Sequence, residues 1–260
     1  MKIAIITGAS SGMGREFALQ MDAIFSNIDE FWLIARREKE LSELADALIH
    51  PCRIFSMDIT KQGQSERLTY AMKLENAKVC MLVNCAGYGL MGDFTKSSLK
   101  ETLGMVRTNC EALTEITHRV LPFMAKNGRI INLASSAAFL PQVDFAVYAA
   151  SKSYVLSFSR ALSWEQKGRD IYVTAVCPGP VDTPFFDIAE KNGTTLSIKK
   201  KVMASPEDVV TKALKDSFYH REVSVYGIPM TLFEGLCKYL PHDLIMYFSS
   251  KLKEQETKKI

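Results

Sequence analysis

The sequence predicts an α/β fold in which a parallel sheet is covered by helices on both faces. Two observations predict it. Short apolar, β-branched runs alternate along the chain with longer segments of helical periodicity, and strands that are apolar throughout are typical of parallel sheets buried on both sides. No linker, repeat or low-complexity segment interrupts this alternation over the 260 residues. We therefore expect one domain, 1–260, built as a three-layer, doubly wound sheet.

Six strands and five helices follow from these patterns. The strands are expected at 3–6, 31–35, 53–57, 79–84, 129–134 and 171–177. The helices are expected at 12–25, 38–48, 61–74, 97–126 and 147–166. Together these elements form a predicted core at 1–181.

Two segments depart from the alternation. Residues 182–205 are polar and contain a KKK run at 199–201, so they are predicted to be an insertion beside the core. Residues 227–256 have amphipathic helical spacing, and Pro241 is expected to separate two helices there. The predicted fold is thus a core with an insertion and a C-terminal helical extension.

Composition excludes several classes of protein. A net charge of +3 with evenly spread Lys and Arg argues against nucleic-acid binding, which needs a clustered basic surface. The six cysteines show no C-x-x-C spacing, and the four histidines are far apart, so no metal site is predicted and the thiols are interpreted as buried groups in a reducing compartment. The N-terminal residues do not resemble a signal peptide, and no stretch of about 20 apolar residues is present to span a membrane. We expect a cytoplasmic protein.

A glycine-rich loop follows the first strand and opens the first helix. In TGASSGMG, the residues Gly8, Gly12 and Gly14 form G-x-x-x-G-x-G, a spacing variant of the dinucleotide fingerprint. Glycines allow a tight turn and a close approach of the backbone, and the helix N-terminus faces the pyrophosphate. The loop residues expected to hold a nucleotide are Thr7, Gly8, Ser10, Ser11, Gly12, Met13 and Gly14.

The end of the second strand indicates which nucleotide. An acidic residue at this point would bind an adenosine ribose, but the sequence there is LIARREKEL, with Arg36 and Arg37 in that place. Guanidinium groups suit a 2′-phosphate, which a carboxylate would repel. The pair predicts NADP(H) rather than NAD(H).

A tyrosine and a lysine lie four positions apart in DFAVYAASKSYVLSF. In a helix, Tyr148 and Lys152 share one face. A nearby ammonium lowers the pKa of a phenol, which suits a general acid/base near neutral pH. The pair alone also fits an amphipathic helix with an extended lysine.

Taken together, the motifs resemble those of the short-chain dehydrogenase/reductase family, in its short single-domain form with a Rossmann fold. Besides the glycine loop, the chain has MDIT, NCAG, RTNCEAL, NLASSAA, YAASK and PGPVDT in the order and spacing of that family, from residue 3 to about 185. The resemblance implies further cofactor-binding residues, namely Asp58, Ile59, Asn84, Ala86, Gly87, Tyr148, Lys152, Pro178, Gly179, Val181 and Thr183. It implies the catalytic set Asn109, Ser135, Tyr148 and Lys152.

The resemblance also implies a role for each catalytic residue. Tyr148 would exchange a proton with the substrate oxygen while NADP(H) carries the hydride, and Lys152 would lower the pKa of Tyr148 and bind the nicotinamide ribose. Asn109 would hold a water that relays protons to Lys152. Ser135 would orient the substrate oxygen; we choose it over Ser136 because of its spacing from Tyr148 and because strand alternation points its neighbour elsewhere.

Two residues depart from the family pattern. Cys85 replaces the second asparagine of the NCAG turn and is interpreted as a small buried thiol. Pro184 follows the PGPVDT motif, where it fixes the entry into the insertion at 182–205, interpreted as a substrate lid. Apolar residues around the site predict a bulky, apolar carbonyl substrate. They are Tyr88, Leu90, Met91, Phe139, Leu140, Pro141, Phe145, Phe185 and Phe186.

The predicted activity is NADP(H)-dependent interconversion of a secondary alcohol and a ketone, with a hydroxysteroid or bile-acid-like substrate. A 3-oxoacyl thioester reductase and a non-catalytic NADP(H)-binding regulator are the alternatives; an epimerase or dehydratase would need a longer substrate domain. On family grounds we expect a homodimer or homotetramer formed through the helices at 97–126 and 147–166. The helices at 227–256 could instead pack over the site, form a subunit interface or contact a membrane surface.

Overall fold

A computed structural model describes residues 1–192, 203–247 and 251. Its centre is a parallel sheet of seven strands in the order β3-β2-β1-β4-β5-β6-β7. The strands are β1 Lys2–Thr7, β2 Glu30–Ala35, β3 Cys52–Ser56, β4 Lys78–Asn84, β5 Met124–Leu133, β6 Tyr172–Val176 and β7 Val223–Ser224. The strand order reverses between β1 and β4, and ligands of such sheets bind at this switch point, beyond the carboxyl ends of the strands.

Helices cover both faces of the sheet. They are α1 Gly12–Ile24, α2 Glu38–Ala47, α3 Gln64–Leu74, α4 Leu99–Val106, α5 Leu113–Val120, α6 Ala146–Gln166, α7 Phe185–Ala189, α8 Pro206–Phe218 and α9 Ile228–Tyr239. Alternate residues of β1 show the layering: Ala4 and Ile6 pack towards α1 and α8, while Ile3 and Ile5 pack towards α3 and α5. The predicted three-layer, doubly wound fold is confirmed.

The predicted helix at 97–126 is wrong in its extent. Its first part is α4, which continues into a π-helical segment at Arg107–Ala112 and then into α5, and a 3₁₀ turn at Leu121–Phe123 ends it. Strand β5 therefore begins at Met124 rather than at 129. Residues 124–128 read as helix because Lys, Asn and Gly give them none of the β-branched pattern of a buried strand.

The sequence analysis assigned no element to 206–218, where the structure has α8. A signal is present: the Ser205 hydroxyl accepts from the Asp208 N–H (3.1 Å), and Pro206 occupies the first turn. Within the predicted insertion, α7 is described and residues 193–202, with the KKK run, lie outside the described residues. The division into core, lid and C-terminal helices stays a prediction.

The C-terminal extension begins as predicted. Helix α9 is followed by Pro241 and a second helical stretch at 242–247; most of the predicted remainder lies outside the described residues. Across the parts of the chain that the structure describes, no helix combines the length and apolar character needed to cross a bilayer.

Candidate active site

A cavity of about 1410 Å³ opens at the carboxyl ends of the central strands. Most residues predicted from the sequence line it: Gly8, Ser10, Ser11, Gly12, Met13, Gly14, Arg36, Arg37, Asp58, Ile59, Ala86, Gly87, Ser135, Tyr148, Lys152, Pro178, Gly179, Val181 and Thr183. The structure therefore brings together motifs that span about 175 positions of sequence. Three predicted residues, Thr7, Asn84 and Asn109, are buried and are not among the lining residues.

The glycine loop is packed against the NCAG turn at the end of β4. Gly8 has φ +69°, and a Cβ there would come within 2.8 Å of the Ala86 nitrogen. A Cβ on Gly14 would overlap the Gly8 carbonyl oxygen. The Ala86 N–H donates to the Thr7 hydroxyl at 3.2 Å. Thr7 therefore connects the glycine loop to the NCAG turn through a hydrogen bond. Close backbone approach requires glycine at both positions, and the positive φ of Gly8 requires it there a second time.

The start of α1 fits the pyrophosphate of a dinucleotide. Its N-cap residue, Ser11, makes no side-chain capping bond, and its first turn contains no acidic residue. The N–H groups of this turn lie beside the cavity, where a helix N-terminus favours anions. The glycine cradle and this free helix end together suit a nicotinamide dinucleotide.

Both arginines lie at the end of β2, beside the glycine loop. The Arg37 guanidinium donates to the Ser10 hydroxyl (2.9 Å) and to the Ser11 hydroxyl (2.8 Å). Burial opposes ionisation of Asp58, but hydrogen bonds from Thr60 and the charge of Arg36 outweigh it and lower the pKa of Asp58. The loop serines thus hold one guanidinium against the glycine loop.

Asn84 belongs to a buried polar network beneath the cavity. Its Nδ2 donates to the Thr117 hydroxyl (3.0 Å) and to Asn132 Oδ1 (2.9 Å), and Asn132 in turn donates to the Ser159 hydroxyl (2.9 Å). This network connects the carboxyl ends of β4 and β5 to α5 and α6. Asn84 was predicted to contact the cofactor; its side chain is buried in this network and does not line the cavity.

Tyr148 lies on α6 between two phenylalanines. Its ring stacks on Phe145 (centroids 4.3 Å apart) and is tilted against Phe185 (5.4 Å). Burial raises the pKa of Tyr148 to about 12, although a hydrogen bond with Ser135 acts in the opposite direction. The sequence-based expectation of a lowered pKa is therefore wrong for this structure, because desolvation of the phenolate exceeds any stabilisation.

Lys152 does not contact the phenol. Its Nζ donates to the Leu133 carbonyl at 2.6 Å and lies 5.7 Å from the centroid of the Tyr148 ring. Burial lowers the pKa of Lys152 to about 8, against the influence of the nearby thiols of Cys85, Cys110 and Cys177. The sequence spacing correctly predicted that Tyr148 and Lys152 share one face of α6. The Lys152 ammonium, however, donates to a backbone carbonyl at the end of β5 and not to the phenol.

The two candidate serines are distinguished by their contacts. The Ser135 hydroxyl accepts from the Ala137 N–H (3.1 Å) and shares a hydrogen bond with Tyr148. Ser136 is held through its backbone, which donates to the Pro178 carbonyl at 2.8 Å. Of the two, the geometry favours the predicted choice, Ser135.

Asn109 lies in the π-helical segment between α4 and α5. Its Nδ2 donates to the Tyr88 carbonyl (2.9 Å) and to the Ser151 hydroxyl (2.9 Å), and its Oδ1 accepts from the Tyr88 N–H (3.1 Å). Single π-helical turns are frequent at functional sites. Here the extra residue in the turn directs the amide of Asn109 towards the NCAG turn and α6.

Comparison with known proteins decides the family. A family model described as short chain dehydrogenase matches residues 2–193, well over half of the chain. The chain belongs to the short-chain dehydrogenase family. The resemblance inferred from the motifs is thereby confirmed.

Two curated relatives and one solved structure are similar to this short-chain dehydrogenase over most of its length. An uncharacterized oxidoreductase of Staphylococcus epidermidis is 31% identical over 82% of this chain and 90% of its own length. An NADP-dependent 3-hydroxy acid dehydrogenase of Escherichia coli strain K12 is 31% identical over 80% of this chain and 85% of its own. A solved structure of serine dehydrogenase in its closed form with NADP⁺ has a TM-score of 0.76 and 28% identity, covering 86% of this chain and 94% of that one.

The far end of the cavity of this short-chain dehydrogenase is apolar. Tyr88, Leu90, Met91, Phe145, Phe185 and Phe186 pack around Tyr148 there, as expected. Three other predicted residues, Phe139, Leu140 and Pro141, are not among the lining residues; Phe139 packs against a separate buried cluster that includes Leu113 and Val155.

Packing over the site was one of the roles expected of the C-terminal helices, and α9 does supply part of the cavity wall, although its wall residues were not named in advance. Pro229, Met230 and Phe233 line the cavity, and Met230 lies so close to Gly179 that a Cβ on this glycine would come within 2.6 Å of its sulfur. The amphipathic spacing of α9 was recognised, but nothing local indicates which face covers the site. Gln142, Ile188 and Lys191 also line the cavity and carried no signal.

The cysteines of this family member are all free. Cys85, Cys110, Cys177 and Cys237 are buried, while Cys52 and Cys80 are half-buried. Burial raises the pKa of Cys85 to about 12, so the departure from the family turn introduces an inert thiol, as predicted. Among the residues that the structure describes, no three His, Cys, Asp or Glu side chains are grouped as a metal site.

Proposed function

We propose that this protein is an NADP(H)-dependent oxidoreductase that interconverts a secondary alcohol and a ketone. One observation carries the proposal: the glycine cradle, the two arginines, Ser135, Tyr148 and Lys152 all line one cavity at the switch point of the sheet. Such a cavity, with convergent polar groups and shifted pKa values, has the features of an active site.

In this proposal Tyr148 is the proton donor of carbonyl reduction. Bound NADPH supplies the hydride. Because the pKa of Tyr148 is raised to about 12 by burial, the phenol carries its proton at neutral pH. Ser135, which shares a hydrogen bond with the phenol, orients the substrate oxygen towards it. A positive charge at Lys152 stabilises the phenolate that remains after proton transfer.

Preference for NADP(H) over NAD(H) is proposed from Arg36 and Arg37. Arg37 is held over the loop by two serine hydroxyls, and no carboxylate replaces the pair at the end of β2. The Escherichia coli relative and the serine dehydrogenase structure also use or bind this phosphorylated form. A guanidinium held in place costs less entropy when it binds a 2′-phosphate.

The substrate class is proposed to be a hydroxysteroid or a bile-acid-like compound. Aromatic and aliphatic side chains from the NCAG turn, α6, α7 and α9 surround Tyr148. Apolar walls of this extent suit a bulky ring system better than a small polar metabolite.

A small hydroxy acid is the second candidate. The Escherichia coli relative is named for such a substrate, and Lys191, within the predicted lid segment, provides a cation on the cavity wall. The 3-oxoacyl thioester alternative relied on the KKK run, which lies outside the described residues. A non-catalytic regulator is disfavoured because Ser135 and Tyr148 are hydrogen-bonded together in the cavity.

A substrate screen tests the proposal. NADPH consumption is followed by absorbance with ketosteroids, oxo-bile acids, 3-oxo acids, 3-oxoacyl thioesters and simple ketones, with NADH in parallel. We expect turnover of a ring ketone, a preference for NADPH, and a loss of about 10²- to 10⁴-fold in Tyr148→Phe, which removes the donated proton. Full turnover by Tyr148→Phe would refute the mechanism. Faster turnover of 3-oxo acids would favour the second candidate.

A further inference from the structure

We propose that Ser151 is a positioning residue, which pairs with the second amide N–H of Asn109 and so, together with the Tyr88 backbone, holds that amide in place in the proposed active site. Ser151 is not among the residues predicted from the sequence. It precedes Lys152 on α6 and is 3% exposed. The inference rests on the proposed function of the cavity, but its central geometric claim can be tested without turnover.

The Ser151 hydroxyl acts both as a hydrogen-bond donor and as an acceptor. It donates to the Tyr148 carbonyl at 2.7 Å and accepts from Asn109 Nδ2 at 2.9 Å. The first bond fixes the direction of the hydroxyl proton, so the oxygen can only accept from Asn109. The nitrogen of the Asn109 amide is thereby assigned to this side.

The orientation of the amide determines what its oxygen faces. A Cβ built on Gly87 would lie 2.9 Å from Asn109 Oδ1 and 3.5 Å from Lys152 Nζ. The amide oxygen and the ammonium therefore both lie close to Gly87 of the NCAG turn. If the amide rotated by half a turn, its NH₂ group would face the Tyr88 N–H and its oxygen would face the Tyr88 carbonyl, which is unfavourable.

Without Ser151, only the Tyr88 backbone would hold the Asn109 amide, and it would hold it less firmly. The Tyr88 N–H and carbonyl pair with Asn109 Oδ1 and Nδ2, which leaves one amide N–H for Ser151. Asn109 is 1% exposed, so without the serine hydroxyl this N–H would be buried and unpaired. We infer that loss of Ser151 loosens the amide and disturbs proton delivery to Lys152 and Tyr148.

Ser151→Ala is the test, and Ser153→Ala is its matched control. Ser153 is exposed on the same helix and bonds to the Ala149 and Ala138 carbonyls, away from Asn109. In Ser151→Ala we expect kcat to fall by about 10- to 100-fold, with a larger solvent isotope effect, while KM and the Kd for NADPH stay within about twofold. Ser151→Thr keeps the hydroxyl and should recover most of kcat. Ser153→Ala should resemble the wild type.

Amide exchange measures the positioning directly. The chain has seven asparagines, so selective ¹⁵N-asparagine labelling gives a simple spectrum, in which Asn109→Ala identifies the Asn109 side chain. We expect its NH₂ protons to exchange slowly in the wild type and at least about tenfold faster in Ser151→Ala. Unchanged exchange in Ser151→Ala would overturn the inference. So would a fall in kcat matched by Ser153→Ala or by a fall in NADPH affinity.

Amide exchange of Asn109 distinguishes the positioning role of Ser151 from the proposed reaction. If the wild type reduces no carbonyl compound but the exchange of Asn109 responds to Ser151, the positioning stands and the proposed reaction fails. If turnover is found and exchange does not respond, the reaction stands and the positioning fails.

Discussion

At the scale of single residues, burial acts on Tyr148 and Lys152 in opposite directions. It raises the pKa of the phenol to about 12 and lowers that of the ammonium to about 8. Both shifts favour the neutral form, as expected where water is excluded. Tyr148 therefore keeps its proton at neutral pH, whereas Lys152 loses its proton, and with it its charge, at a lower pH than an ordinary lysine does.

The lysine shift has a testable effect on stability. Because its folded pKa is depressed, Lys152 costs free energy at low pH, and the protein gains stability as the pH rises from about 8 towards 10.5. In the absence of cofactor, the free energy of unfolding of the wild type relative to Lys152→Met should rise by on the order of 2 kcal/mol between about pH 7.5 and about pH 9.5.

Urea denaturation of both proteins at the two pH values measures this difference. Other titrating groups are common to the two proteins and cancel in the comparison. Lys212→Met, which removes a lysine of α8 that does not line the cavity, is a second comparison. A constant difference between wild type and Lys152→Met would contradict the lowered pKa.

The same residues show what a sequence can predict of a site. Tyr148 and Lys152 were noticed because helical spacing places them on one face, and Ser135 was named because its motif resembles that of the family. The direction of the pKa shift of Tyr148 was missed because it depends on Phe145, Phe185 and the rest of the cavity wall. Ser151 was missed because its importance lies in a contact with Asn109, 42 positions away.

At the scale of elements, the approach of α1 to β1 is the tightest constraint on the cofactor cradle. Gly14→Ala would place a methyl group against the Gly8 carbonyl, which is backbone and cannot turn aside. We expect α1 to be displaced and NADPH to bind at least about tenfold more weakly, since the helix N-terminus then moves away from the pyrophosphate.

Titration of NADPH by fluorescence measures the effect, and Gly168→Ala is the control. A Cβ on Gly168 would have nothing within 4 Å, so this variant should bind NADPH like the wild type. Equal affinity of Gly14→Ala and wild type would show that the cradle does not depend on this approach.

The sequence predicted the central strands but not every other secondary-structure element. The central strands were found because they are buried on both faces and read as continuous apolar runs. The π-helical segment was not, because one extra residue per turn leaves no mark in the apolar spacing. Strand β7 has only two residues, Val223 and Ser224, and exists because it pairs with β6; pairing of this kind has no local signature.

At the scale of the whole molecule, α4 and α6 are in contact and both expose large apolar side chains. They are Leu99, Leu103 and Val106 on α4 and Tyr154 and Trp164 on α6, and we call them the α4/α6 surface. Large exposed apolar patches mark interaction sites. We propose that this surface joins two copies of the chain, as the sequence analysis expected, in a dimer or as one interface of a tetramer.

Charge placed in this surface should separate the copies. We expect the wild type to sediment as a dimer or tetramer and the double variant Leu103→Asp/Trp164→Asp to sediment as a smaller species at micromolar concentration, because two buried carboxylates without partners oppose association. Tyr70→Asp, at an exposed aromatic residue of α3 outside this surface, should leave the mass unchanged. A wild type that sediments as a monomer would contradict the interface. A double variant that keeps the wild-type mass would show that the copies meet through another surface, and the exposed side of α9, with Ile228, Leu232 and Tyr239, would be the next to test.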